Sequence, residues 1–267
     1  MRQYDLRIVP INVYFNGAVY RDGVDITPPE AYQLLEKAPH LFATSPASAG
    51  EYLETYRELS TQFKSILCIT LSSGLSTLCE MARIAQEEAA DKPAGTTIEV
   101  LDSRTAAGGE GLVALAAARA AIEGKDLAEV IEIAEAVRDR VNVIGLMETV
   151  RYVYRTGRVP KVAARAASML NIKPIFDILG GVVHIAGLAR TRENGINRVL
   201  QMMKKKVGTS PVHVIVSHAN VPDEGGRLKE RIASEFNCVE LRLTDFSPVM
   251  GYATGRGTLV ASFYSEP

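Results

Sequence analysis

The sequence predicts a two-domain α/β protein, with an N-terminal parallel sheet flanked by helices and a C-terminal mixed α/β sheet domain. Three observations lead to this prediction. Residues 66–71 (ILCITL) form a short apolar run without polar alternation, which is typical of a strand buried on both faces. Strand and helix patterns alternate around this run, as in parallel sheets covered by helices. The length of 267 residues suits one or two cores, and the pattern changes near Gly124-Lys125.

The elements before this apolar run are predicted from local signals. Residues 6–15 have the composition of a strand, and Pro10 favours an edge position or a bulge. Asn16-Gly17 predicts a turn into a short hairpin. Thr27 and Ser48 each precede a glutamate by three residues, so each predicts a capping box at the start of a helix.

A polar turn, Ser72-Ser73-Gly74, follows the apolar run, and a helical pattern begins after it at Leu78. At such a join the unpaired N–H groups of the helix and its dipole favour an anion. The serine hydroxyls add donors, and Gly74 lets a ligand approach closely. The turn is therefore a candidate anion site, and the alternative is that Ser72, Ser73 and Ser76 only cap the helix.

A second polar loop, residues 43–48, leads into the helix that Ser48 starts. Thr44 and Ser45 in this loop are candidates for another wall of the anion site, and the alternative is that they are solvated loop residues. A further strand ends at Asp102, which either caps the next helix or orients a ligand group. In a parallel sheet Asp102 and the serine turn lie on the same edge, where ligands collect.

The second half of the chain changes pattern after residue 124, so we expect domains at 1–124 and 125–267. Gly180-Gly181 lies in the middle of an apolar stretch and predicts a β-hairpin over residues 174–188. A glycine-punctuated turn, residues 250–257, precedes the last strand. The other predicted strands lie at residues 142–147, 212–217, 239–243 and 258–264. The other predicted helices lie at residues 151–155 and 163–170, and near residues 196–203 and 228–232.

Composition excludes several function classes. The formal net charge of −1 gives no reason to expect nucleic acid or an acidic membrane as a partner. No apolar run is long enough to cross a bilayer and no signal-type segment follows Met1, so a cytoplasmic protein is expected. Three cysteines without a C-x-x-C pair, and four histidines, argue against a disulfide framework or a metal site. We expect no cofactor and no catalytic residue.

Eight short motifs, taken in order, resemble those of the DegV family of bacterial fatty-acid-binding proteins, which includes the binding subunit of fatty acid kinase. No motif is specific alone, but the ordered set covers nearly the whole chain. The motifs are VYRDG at 19–23, TSP at 44–46, SSGLS at 72–76, VLDS at 100–103, TGRV at 156–159, NIKP at 171–174, AR at 189–190 and PVMG at 248–251.

The resemblance implies that the two domains hold one long-chain fatty acid in an apolar tunnel between them. It implies that Thr44 and either Ser72 or Ser73 bind the carboxylate, and we include the neighbouring Ser45 and Gly74 in this predicted site. Donors at two helix N-termini suit such an anion, and the rest of the ligand needs only apolar surface.

The resemblance also implies a partner. Binding subunits of this kind do no chemistry alone, because a fatty acid kinase phosphorylates the carboxyl group of the bound acid. Arg158 and Arg190 match positions on the face to which that kinase docks. The alternative is that they are ordinary surface or helix-end arginines. The protein is then a ligand-binding subunit rather than an enzyme, and we expect a monomer when it is free.

Two features depart from the family pattern. Ala253 stands where the family has a histidine that helps to hold the carboxylate, so we take Tyr252, Thr254 and Arg256 as candidate replacements, Arg256 through a bidentate pair. Family members also usually open with a strand and a T-D-S turn, whereas this chain begins at what would be the second strand. Either the start is truncated or the sheet has lost a strand, and truncation would expose the edge of a central strand.

The leading hypothesis is therefore a non-enzymatic carrier of a long-chain fatty acid. The alternative is a phosphosugar-binding or isomerase-type protein that uses the Ser72-Ser73-Gly74 turn as a phosphate site, although the sequence offers no convincing catalytic base. A serine hydrolase is disfavoured because there is no G-x-S-x-G elbow. A nucleotide kinase is disfavoured because there is no G-x-x-x-x-G-K-[ST] loop.

Overall fold

A computed structural model describes residues 4–90, 95–157 and 172–266 of the chain. Its first element is an antiparallel sheet. The turn at Asn16-Gly17 joins β1 (Asn12–Phe15) to β2 (Ala18–Arg21), as predicted, and both turn residues have positive φ, 48° and 83°. Strand β3 (Phe42–Ser45) pairs with the other edge of β1, which gives the order β2-β1-β3.

The two predicted capping boxes are confirmed. Helix α1 (Pro28–Lys37) starts after Thr27, whose backbone N–H donates to the Glu30 carboxylate at 2.9 Å. Helix α2 (Ala49–Ser60) starts after Ser48, whose backbone N–H donates to Glu51 at 2.7 Å. Both boxes satisfy donors that a helix start otherwise leaves unpaired.

Two predictions for this region are wrong. Only the last four residues of the strand expected at 6–15 are in β1, and Pro10, which lacks a backbone N–H for pairing, lies before it. Thr44 and Ser45 belong to β3 rather than to a loop, because β1 offers them a pairing edge. The sequence shows no apolar alternation at this strand, so local pattern alone did not predict it.

The predicted parallel sheet is confirmed and has two strands, β4 (Ser65–Thr70) and β5 (Thr97–Asp102). Helices cover both of its faces. Ile66 of β4 packs toward α2 and α3 (Leu78–Ala90), while Leu67 packs toward α4 (Gly108–Ile122) and α5 (Leu127–Arg138). Within the described residues β4 pairs with β5 alone, and Leu67, Cys68 and Ile69 keep partial exposure. The expectation of a strand buried throughout is therefore wrong.

The C-terminal half forms the predicted mixed sheet. Its order is β10-β9-β11-β6-β7-β8, in which β9 and β10 are parallel and the other neighbours are antiparallel. The predicted hairpin turn at Gly180-Gly181 joins β7 to β8. The strands are β6 (Asn142–Leu146), β7 (Lys173–Leu179), β8 (Val182–Ala189), β9 (Val212–His218), β10 (Cys238–Asp245) and β11 (Leu259–Ser265).

Helices α7 (Arg192–Val207) and α8 (Pro222–Glu235) cover one face of this sheet and bury Met203 and Ile232 there. Two short helices, α6 (Arg151–Arg155) and α9 (Pro248–Thr254), lie near its other face. The segment 250–257 was predicted as a turn, and α9 corrects this for its first five residues, because Ser247 caps the helix and Pro248 starts it. The helix predicted at 163–170 lies outside the described residues.

The boundary predicted at Gly124 stays a prediction. On its C-terminal side, α5 packs against α4 and β4. The first turn of α4 also lies against the six-stranded sheet, where a Cβ on Gly108 would come within 2.9 Å of Ile215.

No helix in the described part of the chain combines the length and the apolar character needed to span a bilayer.

One end of the six-stranded sheet carries a charged cluster around Glu240. Arg119 of α4 donates two hydrogen bonds to this carboxylate, at 2.7 and 2.8 Å, and Arg242 and His213 also contact it. Burial alone would raise the pKa of Glu240, but the hydrogen bonds from Arg119, Arg242 and His213 outweigh burial and lower the pKa to about 2. The ion pair fixes α4 to β10.

Replacing Glu240 by glutamine should lower the free energy of unfolding by about 2 kcal/mol at pH 7. The folded pKa lies below the ordinary value of 4.5, so ionised Glu240 stabilises the fold above that pH. This stabilisation is lost as the pH falls through 4.5 toward 2, so the difference in free energy of unfolding between variant and wild type should shrink by more than half at pH 3. Urea unfolding at pH 7 and pH 3 measures this difference.

A matched control is Glu235→Gln, which removes an exposed partner of Arg231 on α8. Exposed pairs of this kind contribute little, so its effect should stay within about 0.5 kcal/mol at both pH values. A Glu240→Gln effect as small as the control, or one that does not depend on pH, would contradict the assignment.

Candidate functional site

Apolar side chains from both halves of the chain meet between the β2-β1-β3 sheet and the face of the six-stranded sheet opposite α7. We call this group the interdomain cluster. It joins the two sheets, and any ligand enclosed there would touch both halves. Its buried members include Val13, Ile26, Tyr32, Leu35 and Phe42 from the first half and Val143, Met147, Phe176, Phe246 and Val260 from the second.

The tunnel expected from the resemblance stays a prediction. The structure describes the interdomain cluster as a packed layer, with partly buried side chains such as Ile178, Val183 and Ile185 at its border. A pocket of about 380 Å³ lies elsewhere, on the α4 side of the sheet, between Ala116, Ile133 and Tyr264. That pocket is not the predicted tunnel.

The Ser72-Ser73-Gly74 turn contacts the β7–β8 hairpin. Ser72 is buried, and its hydroxyl donates to the Gly181 carbonyl oxygen at 2.6 Å. Gly74 lies so close to the same hairpin that a Cβ at this position would come within 2.8 Å of the Gly181 oxygen. The turn thus joins the edge of the parallel sheet to the C-terminal sheet.

The turn lies between strand β4 and the following helix, which begins where the sequence predicts, but Ser72 and Ser73 do not cap that helix. Helix α3 begins at Leu78, four residues after Gly74. Ser76, not Ser72 or Ser73, places its hydroxyl oxygen near the first helical N–H, with 3.4 Å to the Leu78 nitrogen. The helix dipole therefore contributes less at the serine pair than the sequence indicated, because its field falls off within the first turn.

Ser73 instead holds a carboxylate of the protein itself. Its hydroxyl donates to Asp102 Oδ2 at 2.6 Å, and its backbone N–H lies 3.3 Å from the same oxygen. The Arg104 N–H donates to Asp102 Oδ1 at 2.8 Å. Asp102 does lie on the predicted edge of the sheet, but it does not cap α4. These three donors form a carboxylate cradle that Asp102 occupies.

Thr44 and Ser45 lie on opposite faces of β3, because neighbouring residues of a strand alternate. Thr44 pairs with Val13 and shares its face with Phe42, which belongs to the interdomain cluster. The Ser45 hydroxyl lies 3.2 Å from the Tyr14 hydroxyl on the outer face. Thr44 is therefore the residue of this pair that borders the cluster.

The three candidate replacements for the family histidine differ in their surroundings. Tyr252 borders the interdomain cluster, with its ring stacked on Phe42 at 5.2 Å. The Thr254 hydroxyl is buried and donates to the Met250 carbonyl oxygen at 2.9 Å. Arg256 is exposed and pairs with Glu36 at 2.7 Å. Of the three, Tyr252 has a side chain against the cluster.

Arg155 is a residue that the sequence analysis missed. Its guanidinium carbon lies 4.8 Å from the centre of the Tyr252 ring and 5.4 Å from that of Tyr152, and Nη1 donates to the Pro39 carbonyl oxygen at 3.3 Å. The spacing of Tyr152 and Arg155, three residues apart on a helix, was a signal that these two side chains meet. The two arginines predicted to dock the kinase are Arg190 and Arg158. Arg190 is exposed just after β8, and Arg158 lies outside the described residues.

Asp22, in the motif at 19–23, fixes α9 to the first half of the chain. Its carboxylate accepts the Val249 backbone N–H at 3.3 Å. Burial raises the pKa of Asp22, although the hydrogen bonds from Ser247 and Val249 act in the opposite direction. Tyr32 of α1 packs directly on Gly251, where a side chain would not fit. These contacts hold Tyr252 against the cluster.

Comparison with known proteins identifies one family. The model of the family described as "Uncharacterised protein, DegV family" matches residues 1–266. A DegV domain-containing protein of Clostridium acetobutylicum is 26% identical over 262 residues, which are 97% of this chain and 91% of that protein. A DegV domain-containing protein of Caldanaerobacter subterraneus is 31% identical over 204 residues, 76% of this chain and 71% of that protein.

Solved structures agree with these relatives. A fatty-acid-binding DegV family protein from Thermus thermophilus is 26% identical, with a TM-score of 0.91 over 99% of this chain and 94% of that one. A stearic acid-binding protein from Eubacterium ventriosum is 25% identical, with a TM-score of 0.89 over 99% of this chain and 92% of that one. The chain therefore has the two-domain α/β fold of these proteins.

Proposed function

Because the chain belongs to the DegV family, we propose that it binds one long-chain fatty acid between its two halves. The acyl chain lies along the interdomain cluster, and the carboxylate lies at its polar border, at Thr44 and Ser73. The observation that carries this proposal is the cluster itself, an apolar layer built from both halves with a threonine hydroxyl on the same face of β3.

The chemistry of the cluster fits an amphiphile. An acyl chain needs only apolar surface, and each buried CH₂ contributes about 0.8 kcal/mol. The carboxylate needs a few donors at one end. Thr44 supplies one, and Ser73 supplies another when its hydroxyl turns from Asp102 to the ligand. Ser72 and Gly74 then act by positioning the turn, since the Ser72 hydroxyl is bonded to Gly181.

The protein acts in this proposal as a ligand-binding subunit in the cytoplasm and performs no chemistry alone. A partner kinase phosphorylates the carboxyl group of the acid that it presents. Arg190, exposed after β8, and Arg158 are the residues assigned to kinase docking. Pull-down of a kinase by the wild-type protein, with weaker capture by Arg190→Glu, is the expected result.

The first experiment is lipid extraction and mass spectrometry of protein purified from cells without added ligand. A stoichiometric fatty acid supports the proposal. A protein that carries no fatty acid and takes up no labelled fatty acid contradicts it.

The variant Thr44→Ala/Ser73→Ala should bind a fatty acid at least about tenfold more weakly, because a lost pair of hydrogen bonds to a charged group corresponds to more than 1.4 kcal/mol. Fluorescence titration measures the affinity. The control is Ser45→Ala, on the opposite face of β3, which should stay within about twofold of wild type. Unchanged affinity in the double variant would refute these carboxylate donors.

The structure favours a fatty acid over a phosphosugar. The carboxylate of Asp102 occupies the cradle that a phosphate would need, and a phosphate there would face a like charge. The singly charged carboxylate proposed at Thr44 and Ser73 meets less of this repulsion than a phosphate with nearly two charges, and the apolar cluster suits an acyl chain rather than a sugar.

A further inference from the structure

We propose that the tip of the β7–β8 hairpin, residues 179–182, is part of the surface on which the partner kinase docks. This inference rests on the proposed function and deepens it, since it places the partner beside the head group of the bound acid. It starts from the exposure of Ser73, one of the two proposed carboxylate donors. A carboxylate held at Ser73 borders the protein surface, where a partner can reach it.

The hairpin tip adjoins this donor directly. The Ser72 hydroxyl donates to the Gly181 carbonyl oxygen at 2.6 Å. The Val182 side chain packs on Gly74, where a Cβ would come within 2.9 Å of a Val182 methyl group. Ser72 and Gly74 flank Ser73 in the sequence. A partner that transfers a phosphoryl group to a carboxylate at Ser73 therefore has the hairpin tip as its immediate neighbour.

The tip presents apolar side chains to solvent. Leu179 and Val182 form the last pair of the hairpin and are 49% and 38% exposed. The turn between them is well defined, because Gly180 and Gly181 have φ of 58° and 82°, in the left-handed region that favours glycine. Two adjacent aliphatic side chains on a fixed turn lose little conformational freedom when they pack against an apolar patch of a partner.

An exposed cation lies next to the tip. The Arg104 Cα would be 3.7 Å from a Cβ on Gly181. Arg104 has φ of 52°, which is costly for a residue with a side chain, and such strain is common at functional surfaces. Within the described residues its ion pair is with Asp139, at 3.8 Å, and both side chains are more than half exposed. Such a pair contributes little, so Arg104 can exchange Asp139 for an acidic group of a partner.

The surface therefore fits a kinase that carries an apolar patch beside an acidic side chain. Arg190, assigned above to kinase docking, lies at the other end of β8, eight residues and roughly 26 Å from Val182. A standard interface of about 800 Å² on each partner is roughly 30 Å across, so one partner can cover both ends of the strand.

The test is a kinase assay that uses the palmitate-loaded protein, ATP and the purified catalytic subunit of a bacterial fatty acid kinase. The rate of acyl phosphate formation at increasing concentrations of loaded protein gives KM and kcat. The variants are Leu179→Asp and Arg104→Gln. The control is Val239→Asp, which changes a residue that is 53% exposed on β10, at the opposite edge of the six-stranded sheet from β8.

Displacement of a fluorescent fatty acid measures the palmitate affinity of each variant, and thermal unfolding verifies that each is folded. We expect Leu179→Asp to raise KM at least about tenfold, because docking would bury a charge against an apolar patch, and to leave kcat and palmitate affinity within about twofold of wild type. Arg104→Gln should raise KM about two- to fivefold, the range for one exposed ion pair, and less at high salt. Val239→Asp should behave as wild type does.

A KM for Leu179→Asp equal to that of Val239→Asp would overturn the inference. A loss of palmitate affinity that accounts for the higher KM would overturn it as well, because the tip would then serve the ligand and not the partner. Both results leave the proposed function standing. A wild-type protein that binds palmitate but is not used by the kinase refutes the assigned partner and the inference with it, whereas one that binds no palmitate refutes the proposed function itself.

Discussion

A methyl group at position 74 should weaken the fold and fatty acid binding together. In Gly74→Ala the new Cβ would come within 2.8 Å of the Gly181 oxygen and 2.9 Å of a Val182 methyl group. The first of these neighbours is backbone, so the β7–β8 hairpin has to move away from the turn. We expect the free energy of unfolding to fall by about 1–3 kcal/mol and the affinity for palmitate to fall at least tenfold.

Urea unfolding and ligand titration test this prediction. The control is Gly50→Ala in the same half of the chain, where the nearest atom to the new Cβ is the Ser48 hydroxyl oxygen at 3.8 Å, an ordinary contact. Helix α2 should gain a little stability from this change. Wild-type stability and affinity in Gly74→Ala would mean that the turn and the hairpin do not need this contact.

Gly145→Ala adds one methyl group and should be the most destabilising substitution that we predict. We expect it to lower the free energy of unfolding by about 2–4 kcal/mol. Gly145 lies in the middle of β6, opposite Phe176 of β7 and Val260 of β11. A Cβ there would overlap the Phe176 ring and come within 2.8 Å of a Val260 methyl group. Because both neighbours belong to the interdomain cluster, the displaced ring moves into the space proposed for the acyl chain.

Gly187→Ala is the matched control on strand β8. Its new Cβ would meet only Ile175, at 3.8 Å, so stability should stay within about 0.5 kcal/mol of wild type. Unfolding by urea compares the stability of the two variants, and fatty acid titration measures their affinity for the ligand. A small, equal effect of both substitutions would show that the cluster around Phe176 tolerates expansion, contrary to the close packing described above.

Much of the secondary structure could be predicted because its causes are local. The Asn16-Gly17 turn, the Gly180-Gly181 turn and the capping boxes at Thr27 and Ser48 each depend on two to four neighbouring residues. Strand β3 and helix α9 were missed. Strand β3 exists because β1 offers it a free edge, and α9 forms because Ser247 and Pro248 start a helix that packs on Tyr32.

The family resemblance came from an ordered set of motifs, and the match over residues 1–266 confirms it. Motifs identify a family without saying what each residue does in this chain. Asp22 of the motif at 19–23 fixes α9, and Asp102 of the motif at 100–103 fills the Ser73 cradle. Arg155 belongs to no motif, and only the tertiary structure placed its guanidinium beside the Tyr152 and Tyr252 rings.

The sequence by itself determined the α/β class, the mixed second sheet, most element positions and the family. The tertiary structure decided which donors of the proposed site are free. Ser72 donates to Gly181, 109 positions away, and Ser73 donates to Asp102, 29 positions away. Thr44 and Ser45 point to opposite faces of β3. Hydrogen-bond partners at such distances depend on how the two sheets pack, and no local pattern contains that information.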